Sequence, residues 1–301
     1  MLQELIQEFT DHNIQYPEFD VDTMVMQNYR LKPGLYLRLN DNGEMDEFYF
    51  TKKTVLPEND PLVEWLKRAD FASSLIEMNK PVDKKKQIHS NNLFTVFCKH
   101  NTFWSGGENP KLSPKLEEHI ERYFSMLLEI DDKNEILKTA GYEPLQAEIV
   151  EKNKKRFLNS LEAIGDRIKH HHIKGNCYIK LFLNADLEAY FYESGRYLLP
   201  RIFNNNKYNI KIGDQVLGLS NTNMGMNEKK PYLEHKTTAF KVPYRITTEY
   251  AVLLYKMFLW LDGQEREGKP LHSGYFPIGK HEPYLFKVAG EMKVRKPAVY
   301  L

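Results

Sequence analysis

The chain has 301 residues and a net charge of +1, with 42% hydrophobic and 13% aromatic side chains. Its length predicts one large or two intimately packed domains, and its aromatic content excludes a disordered or low-complexity chain. The longest apolar stretch, residues 251–261, is shorter than the roughly 18 residues that a membrane-spanning helix requires. The two cysteines cannot form a disulfide framework, and the first residues lack the basic start of a secretory signal. We therefore expect a cytoplasmic protein without structural metal.

Local patterns predict an α+β fold in one large body, with helices and short antiparallel strands mixed along the chain. Residues 35–39 and 47–50 flank a turn sequence at 40–43, which indicates a hairpin. A helix from Asp60 to about Met78 begins with a capping aspartate and a proline. A strand is expected at 94–98.

From Ser113 onwards, the sequence predicts helices and one further strand. A helix begins at Ser113 in the same way as the helix at Asp60, and its apolar face is formed by Leu116, Ile120, Tyr123, Phe124 and Leu127. The remaining predicted elements are a long charged helix at 146–169, a strand at 177–183 and helices at 186–202 and 248–261. We expect an N-terminal α+β part over residues 1–175 and a second α+β part over residues 176–301.

Hydrophobic periodicity fails between Asn204 and Arg245, where Asn, Gly and Lys dominate. A long segment without a clear element in a packed protein is usually functional or disordered. Residues 201–245 contain eight basic and three acidic side chains, and residues 280–301 contain five and two. This asymmetry in a nearly neutral chain indicates a basic face that meets a polyanion.

The segment 204–237 has the side-chain chemistry of a nucleic-acid contact. Asparagine offers a donor and an acceptor together, the combination that pairs with adenine in the major groove or reads a minor-groove edge. Lysines supply charges for phosphates, and Gly218 and Gly225 allow the backbone to approach a ligand closely. The alternative is a solvated loop in which the asparagines form turns.

Residues 223–237 read NMGMNEKKPYLEHKT, which resembles a signature of the Csh-type large subunit of the type I-B CRISPR Cascade complex. Three flanking segments, 31–37, 197–203 and 242–247, are similar to the same family and occur in the same order. Members of this family continue into a helical C-terminal domain. We expect this domain to be absent here, and with it the contact that it makes with the displaced strand.

The resemblance implies a recognition subunit that is not an enzyme and needs no cofactor. Such a subunit reads the protospacer-adjacent motif on target duplex DNA and contacts the 5′ handle region of the crRNA. Its partners are the Cascade backbone and handle subunits, the crRNA and a recruited helicase-nuclease. On this basis we assign base reading to Asn221, Asn223 and Asn227, phosphate anchoring to Lys229, Lys230 and Lys236, and outer contacts to Lys207 and Arg245.

The main alternative is a metal-dependent nuclease that uses Asp214, Glu234 and Lys236, with the two carboxylates holding Mg²⁺. Such residues normally lie on neighbouring strands, whereas Pro231 and the surrounding Asn/Gly-rich sequence disfavour a strand. The spacing alone is easily met by chance.

Several other motifs have both a functional and a structural interpretation. The tract 170–172 could bind a metal, but three histidines also suit the end of the preceding helix. Cys98 and His100 could form a nucleophile and base, but a buried structural cysteine is the simpler interpretation. We interpret residues 83–86 as a solvated basic loop. Packing is the predicted role of the aromatic side chains Tyr190, Phe191, Tyr192 and Tyr197.

Overall fold

The computed structural model describes residues 6–7, 9–10, 21–57, 59–105, 111–129, 135–173, 177–219, 239, 245–263, 265–266, 269–270, 275–277 and 298–300. Helices and strands are both present, in antiparallel and mixed sheets, which confirms the predicted α+β class. The chain divides into two compact units. We call residues 30–201 the middle unit, and residues 1–29 together with 202–301 the terminal unit.

The helices are α1 (Val21–Asn28), α2 (Pro61–Ser73), α3 (His100–Phe103), α4 (Leu116–Leu128), α5 (Glu135–Thr139), α6 (Ala147–Asn159), α7 (Leu161–His170), α8 (Leu187–Leu198) and α9 (Thr248–Asp262). The strands are β1 (Gly34–Leu39), β2 (Met45–Phe50), β3 (Thr95–Lys99), β4 (Trp104–Ser105), β5 (Lys111–Leu112), β6 (Tyr178–Leu183), β7 (Ile210–Ile212), β8 (Gln215–Leu219), β9 (Arg245–Thr247), β10 (Glu265–Arg266), β11 (Lys269–Pro270), β12 (Tyr275–Pro277) and β13 (Ala298–Tyr300). Two short 3-10 turns lie at Leu199–Arg201 and Asn206–Tyr208.

The middle unit is built on a four-stranded sheet with the order β2-β1-β6-β3. Strand β1 is antiparallel to β2 and parallel to β6, and β6 is antiparallel to β3. The predicted hairpin is confirmed, because Leu39 pairs with Met45 across the expected turn. Gly43 in this turn has a φ of 85°, a conformation that costs glycine little because it has no Cβ.

Helices pack on both faces of this sheet. On one face, alternating side chains such as Leu35 and Ile179 join the main hydrophobic core with α4, α6 and α7. All five residues of the predicted apolar face of α4 are buried, which confirms that prediction. On the other face, Trp65 of α2 packs edge-on against Phe182 of β6 and Tyr190 of α8, with ring-centroid distances of 6.0 and 5.5 Å.

A buried ion pair joins α2 to the same face of the sheet. Lys180 of β6 lies with its Nζ 2.5 Å from Asp70, and both side chains are almost completely buried. The ammonium also lies 5.1 Å from the ring of Tyr36 and 4.9 Å from that of Phe97. Burial lowers the pKa of Lys180, and the contact with Asp70 opposes that shift. The carboxylate and the aromatic faces together compensate for removing this cation from water.

The division into units differs from the expected boundary between residues 175 and 176. Strand β6 begins two residues after that position and lies between β1 and β3 in one sheet. The structural boundaries instead fall at 29/30 and 201/202. Pairing between β1 and β6 joins residues far apart in the chain, and no local pattern in the sequence indicates such pairing.

The predicted single helix over 146–169 is wrong, because the structure contains two helices, α6 and α7, that meet at Ser160. The Ser160 hydroxyl donates to the carbonyl of Arg156 at 2.8 Å, a back-bond that often bends or interrupts helices. The helix at Asp60 begins as predicted, since the Asp60 carboxylate accepts from the amides of Leu62 and Val63, but it ends earlier, at Ser73. Ser74 is extended and forms a bridge with Ser90.

In the terminal unit, α1 packs against α9. Lys256 Nζ lies 2.7 Å from Asp22, and the rings of Phe9 and Trp260 lie 6.4 Å apart. The predicted helix at 248–261 is confirmed as α9, and the hydroxyl of Thr247 accepts from the amide of Tyr250 at its start. Among the described residues, no helix has both the length and the apolar character needed to cross a membrane.

Candidate nucleic-acid interface

The segment with the nucleic-acid signature connects two paired strands of the terminal unit. Strands β7, β8 and β9 form a three-stranded antiparallel sheet, although the sequence predicts no element there. Leu219, the last residue of β8, pairs with Arg245, the first residue of β9. Paired residues in an antiparallel ladder have Cα atoms about 4.5 to 5.5 Å apart. Residues 220–244 therefore leave and re-enter the sheet at adjacent positions.

A 3-10 turn lies beside the base of this connection. The Arg245 Nε donates to the carbonyl of Tyr208 at 2.8 Å, which ties β9 to the turn. The side chain of Asn205 caps the turn by accepting from the amide of Lys207 at 3.0 Å. The amide of Asn204 donates to the carbonyl of Leu219 at 3.1 Å. These bonds fix the turn against the strand ends from which residues 220–244 extend.

The other end of the sheet is a tight hairpin. Ile212 pairs with Gln215, so Gly213 and Asp214 form a two-residue loop, and Gly213 has a φ of 58°. A glycine at the first position of such a loop is typical of type II′ hairpins, whose twist matches that of the strands. Strand β7 is exposed along its length, and the side chains of Ile210 and Ile212 are 40% and 61% exposed.

Gly218 of β8 packs directly on a buried aromatic ring. A Cβ added to Gly218 would lie 2.3 Å from Cγ of Phe203, closer than any side chain can approach. Phe203 and Val216 are 2% and 4% exposed, so both side chains are buried. The close approach that Gly218 permits is therefore made to Phe203.

Two of the predicted contact residues, Lys207 and Arg245, are brought together by this arrangement. Lys207 is exposed in the 3-10 turn, and Arg245 is half-buried at the start of β9. The other six lie outside the described residues: Asn221, Asn223, Asn227, Lys229, Lys230 and Lys236. The sequence did not predict the carbonyl of Tyr208 as the acceptor that positions Arg245, although the capping preference of asparagine marks Asn205 as a turn residue.

The asparagines at 204–209 have local structural roles. Asn205 caps the turn, and the Asn209 Nδ2 donates to Asn206 Oδ1 at 3.2 Å. This part of the segment therefore fits the alternative in which asparagines form turns. The proposed base readers belong to the connection 220–244.

The components of the alternative nuclease site are not assembled in the described part of the chain. Asp214 is exposed at the hairpin tip, and Glu234 and Lys236 lie outside the described residues. Among the described residues, no group of three or more His, Cys, Asp or Glu side chains could hold a metal ion. The tract 170–172 lies at the end of α7, and His172 adopts a φ of 50° there.

The predicted structural roles of cysteine and aromatic residues are largely confirmed. Cys98 is fully buried in β3, and burial raises the pKa of its thiol to about 12, so the thiol is protonated at neutral pH. Tyr190 and Tyr197 are buried, as a packing role requires, whereas Tyr192 is 46% exposed. Comparison of the chain with protein families, curated proteins and solved structures found no match.

Proposed function

We propose that this chain is the large subunit of a type I-B CRISPR Cascade complex, and that it recognises the protospacer-adjacent motif of target DNA. The observation that supports this proposal is the location of the resemblance. The signature at 223–237 lies within the connection between the paired ends of β8 and β9. Binding segments are commonly loops held by a rigid scaffold, because the scaffold fixes where the loop begins and ends.

In this proposal, asparagine side chains of the connection read base edges and lysine side chains contact phosphates. Asn221, Asn223 and Asn227 are the proposed readers, since asparagine carries the donor and acceptor pair that recognises adenine. Lys207 and Arg245 flank the base of the connection and contribute positive charge. A short motif needs only a few such contacts, because pairing with the guide RNA reads the rest of the target.

The proposed subunit binds and does not catalyse. It contacts the 5′ handle region of the crRNA and assembles with the Cascade backbone and handle subunits, and a recruited helicase-nuclease cleaves the DNA. It would require no cofactor, and it would act in the cytoplasm, where guide RNA and invading DNA meet.

The test is reconstitution of the full chain with Cascade backbone subunits and crRNA, followed by binding to a library of target duplexes that differ only in the flanking motif. We expect stable co-purification and binding restricted to a few motifs, and both should require this chain. Failure of the chain to join the complex would overturn the proposal. Mg²⁺-dependent cleavage of DNA by the chain alone would instead support the nuclease.

Single substitutions test base reading within the same assay. Asn223→Ala or Asn227→Ala should relax the preference at one motif position by about 1 to 3 kcal/mol, the value of one good base contact. Asn42→Ala, an exposed asparagine in the turn between β1 and β2, is the matched control and should leave the motif preference unchanged. If the substitutions weakened binding to every motif equally, the asparagines would not be base readers.

A further inference from the structure

A cleft in the middle unit has the composition of a site for an unpaired nucleobase. It lies where β1 and β6 begin and β2 ends. It is open to solvent, and its volume of about 540 Å³ is within the usual range for ligand sites. Its walls are mainly apolar and aromatic, from Pro33, Tyr49, Phe50 and Tyr178. Lys32 and Lys52 lie at the rim and are exposed. No acidic side chain lines the cleft in the described part of the chain.

Hydrogen bonds and close packing hold the aromatic wall in place. The hydroxyl of Tyr178 lies 2.8 Å from Nδ1 of His89, whose Nε2 lies 3.0 Å from the carbonyl of Lys86. A Cβ added to Gly34 would lie 2.7 Å from the carbonyl oxygen of Tyr178, so the starts of β1 and β6 are in direct contact. These contacts therefore hold the ring of Tyr178 in position without a ligand.

Further lysines surround this wall. Lys99 at the end of β3 is the register partner of Tyr178. Lys86 belongs to the exposed run 84–86, which is joined to Tyr178 through His89. Positive charge from Lys99 contributes to the lowered pKa of His89, after the larger effect of burial. Lysines from four parts of the chain thus converge on one end of the sheet.

We propose that this cleft binds one unpaired base of a single-stranded nucleic acid, with the neighbouring phosphates on Lys32 and Lys52. Aromatic walls favour a base because every base has a π face that stacks on such side chains. An acidic peptide would match the lysines but would leave the aromatic walls without a suitable partner. A base can enter the cleft only when it is not paired, so a single strand is the ligand and a duplex is not.

This site does not rest on the proposed function. The cleft belongs to the middle unit, whereas the connection 220–244 belongs to the terminal unit. Either proposal, the single-strand site or motif recognition by the connection, could therefore be wrong while the other is right.

The test uses the full chain alone and a fluorescein-labelled oligothymidylate of about 12 nucleotides, within the site size of single-strand binders. The double variant Lys32→Ala/Lys52→Ala should lose about tenfold in affinity, and the salt slope should fall by about 1.4, since each phosphate contact on a single strand contributes about 0.7. Tyr178→Leu keeps an apolar side chain but removes the ring, and it should weaken binding about fivefold or more.

The matched control is Lys152→Ala/Lys155→Ala, which removes the same charge from exposed positions on α6. The neighbouring Arg156 contacts the carbonyl of Leu39, so this control lies towards the opposite end of β1. The control should bind the oligonucleotide like the unmodified chain, and thermal unfolding should show that all variants are folded. Equal affinities and salt slopes for the rim variant and the control would overturn the proposal.

Cys177 gives an independent readout, because it lines the cleft and is half-buried, while Cys98 is fully buried. Bound oligonucleotide should slow alkylation of Cys177 by iodoacetamide, and the corresponding duplex should not. Unchanged alkylation at saturating oligonucleotide would contradict binding in the cleft. Thymidine monophosphate that competes as well as the oligonucleotide would also overturn the proposal, since it would identify a free nucleotide as the ligand.

Discussion

Asp83 is the side chain that organises the basic loop next to the cleft. It is completely buried, and its carboxylate accepts from the amides of Lys85, Gln87 and Ile88. Arg122 of α4 donates to both carboxylate oxygens, at 3.1 and 3.3 Å. Burial alone would raise the pKa of Asp83, but these hydrogen bonds outweigh it and hold the pKa below its usual range. The carboxylate therefore stabilises the folded loop in its charged form.

Asp83→Asn should destabilise the chain by about 3 kcal/mol at neutral pH, because it removes the buried carboxylate that pairs with the largely buried guanidinium of Arg122. Among the described residues, the remaining acidic partner of Arg122 is Glu118, which is exposed and lies 3.6 Å away. Urea unfolding monitored by circular dichroism measures this effect. Asp166→Asn is the control, since Asp166 forms an exposed pair with Lys169 and should change stability by less than about 1 kcal/mol.

The pH dependence of the same variant has a defined sign. A carboxyl whose pKa is lower in the folded than in the unfolded chain stabilises the fold above its ordinary pKa of about 3.9. This stabilisation disappears as the pH falls through the folded pKa. The difference between the original chain and Asp83→Asn should therefore be constant near neutrality and shrink below about pH 4. A difference that grows on acidification would contradict the assigned role.

The loop at 83–86 shows what sequence can and cannot predict about single residues. Its lysines are exposed, as the interpretation as a solvated loop requires. The burial of Asp83 was not predicted, because its partner Arg122 lies in a different element and is distant in sequence. The hydrogen bond between Tyr178 and His89 was not predicted for the same reason, because the two residues are distant in sequence. Side chains of this kind acquire their role from contacts that form only after the sheet and helices pack.

At the scale of elements, β8 depends on the absence of a side chain at Gly218. Because a Cβ at this position would overlap the ring of Phe203, Gly218→Ala should force the ring or the strand to move. The expected cost is about 1 to 3 kcal/mol, as for other overpacked cores. Thermal unfolding of the two chains measures it.

A double-mutant cycle identifies the cause of that cost. In a Phe203→Leu background the ring is absent, so Gly218→Ala should cost less than it does in the original chain. A cost that is the same in both backgrounds would show that the alanine acts through something other than Phe203. The result also bears on the connection 220–244, because Gly218 is next to Leu219, where that connection leaves the sheet.

Elements defined by local signals were predicted, and those defined by distant contacts were not. The hairpin β1-β2, the start of α2 and the buried face of α4 follow from turn residues, capping and periodicity. The parallel pairing of β1 with β6 and the pairing of β8 with β9 do not have such signals. The Gly213-Asp214 turn between β7 and β8 is a local hairpin signal that our prediction missed. Strand β7 has only the three residues Ile210, Lys211 and Ile212 and is exposed, so its alternation is too short to mark a half-buried strand. Of the proposed contact residues, the structure describes Lys207 and Arg245, and the sequence did not predict the strand pairing that places Arg245 beside the turn of Lys207.

At the scale of the whole molecule, a net charge of +1 conceals an uneven distribution. Basic residues are concentrated in the segment 202–245 of the terminal unit and around the cleft of the middle unit. The proposed ligands of the two regions differ in form, since one is a duplex with a short motif and the other is an unpaired strand. Such a division predicts separable binding functions in one chain.

Separability is tested by combining the two sets of substitutions in the full chain. Lys229→Ala/Lys230→Ala should weaken every duplex alike and lower the duplex salt slope by about 1.8, or 0.9 for each lost phosphate contact. Lys32→Ala/Lys52→Ala should weaken only the single strand. Because the two pairs belong to different units, their effects on binding free energy should add within about 0.5 kcal/mol in the quadruple variant. Titrations of both ligands against salt measure these values. Strong coupling between the pairs would mean that one nucleic acid occupies both surfaces at once.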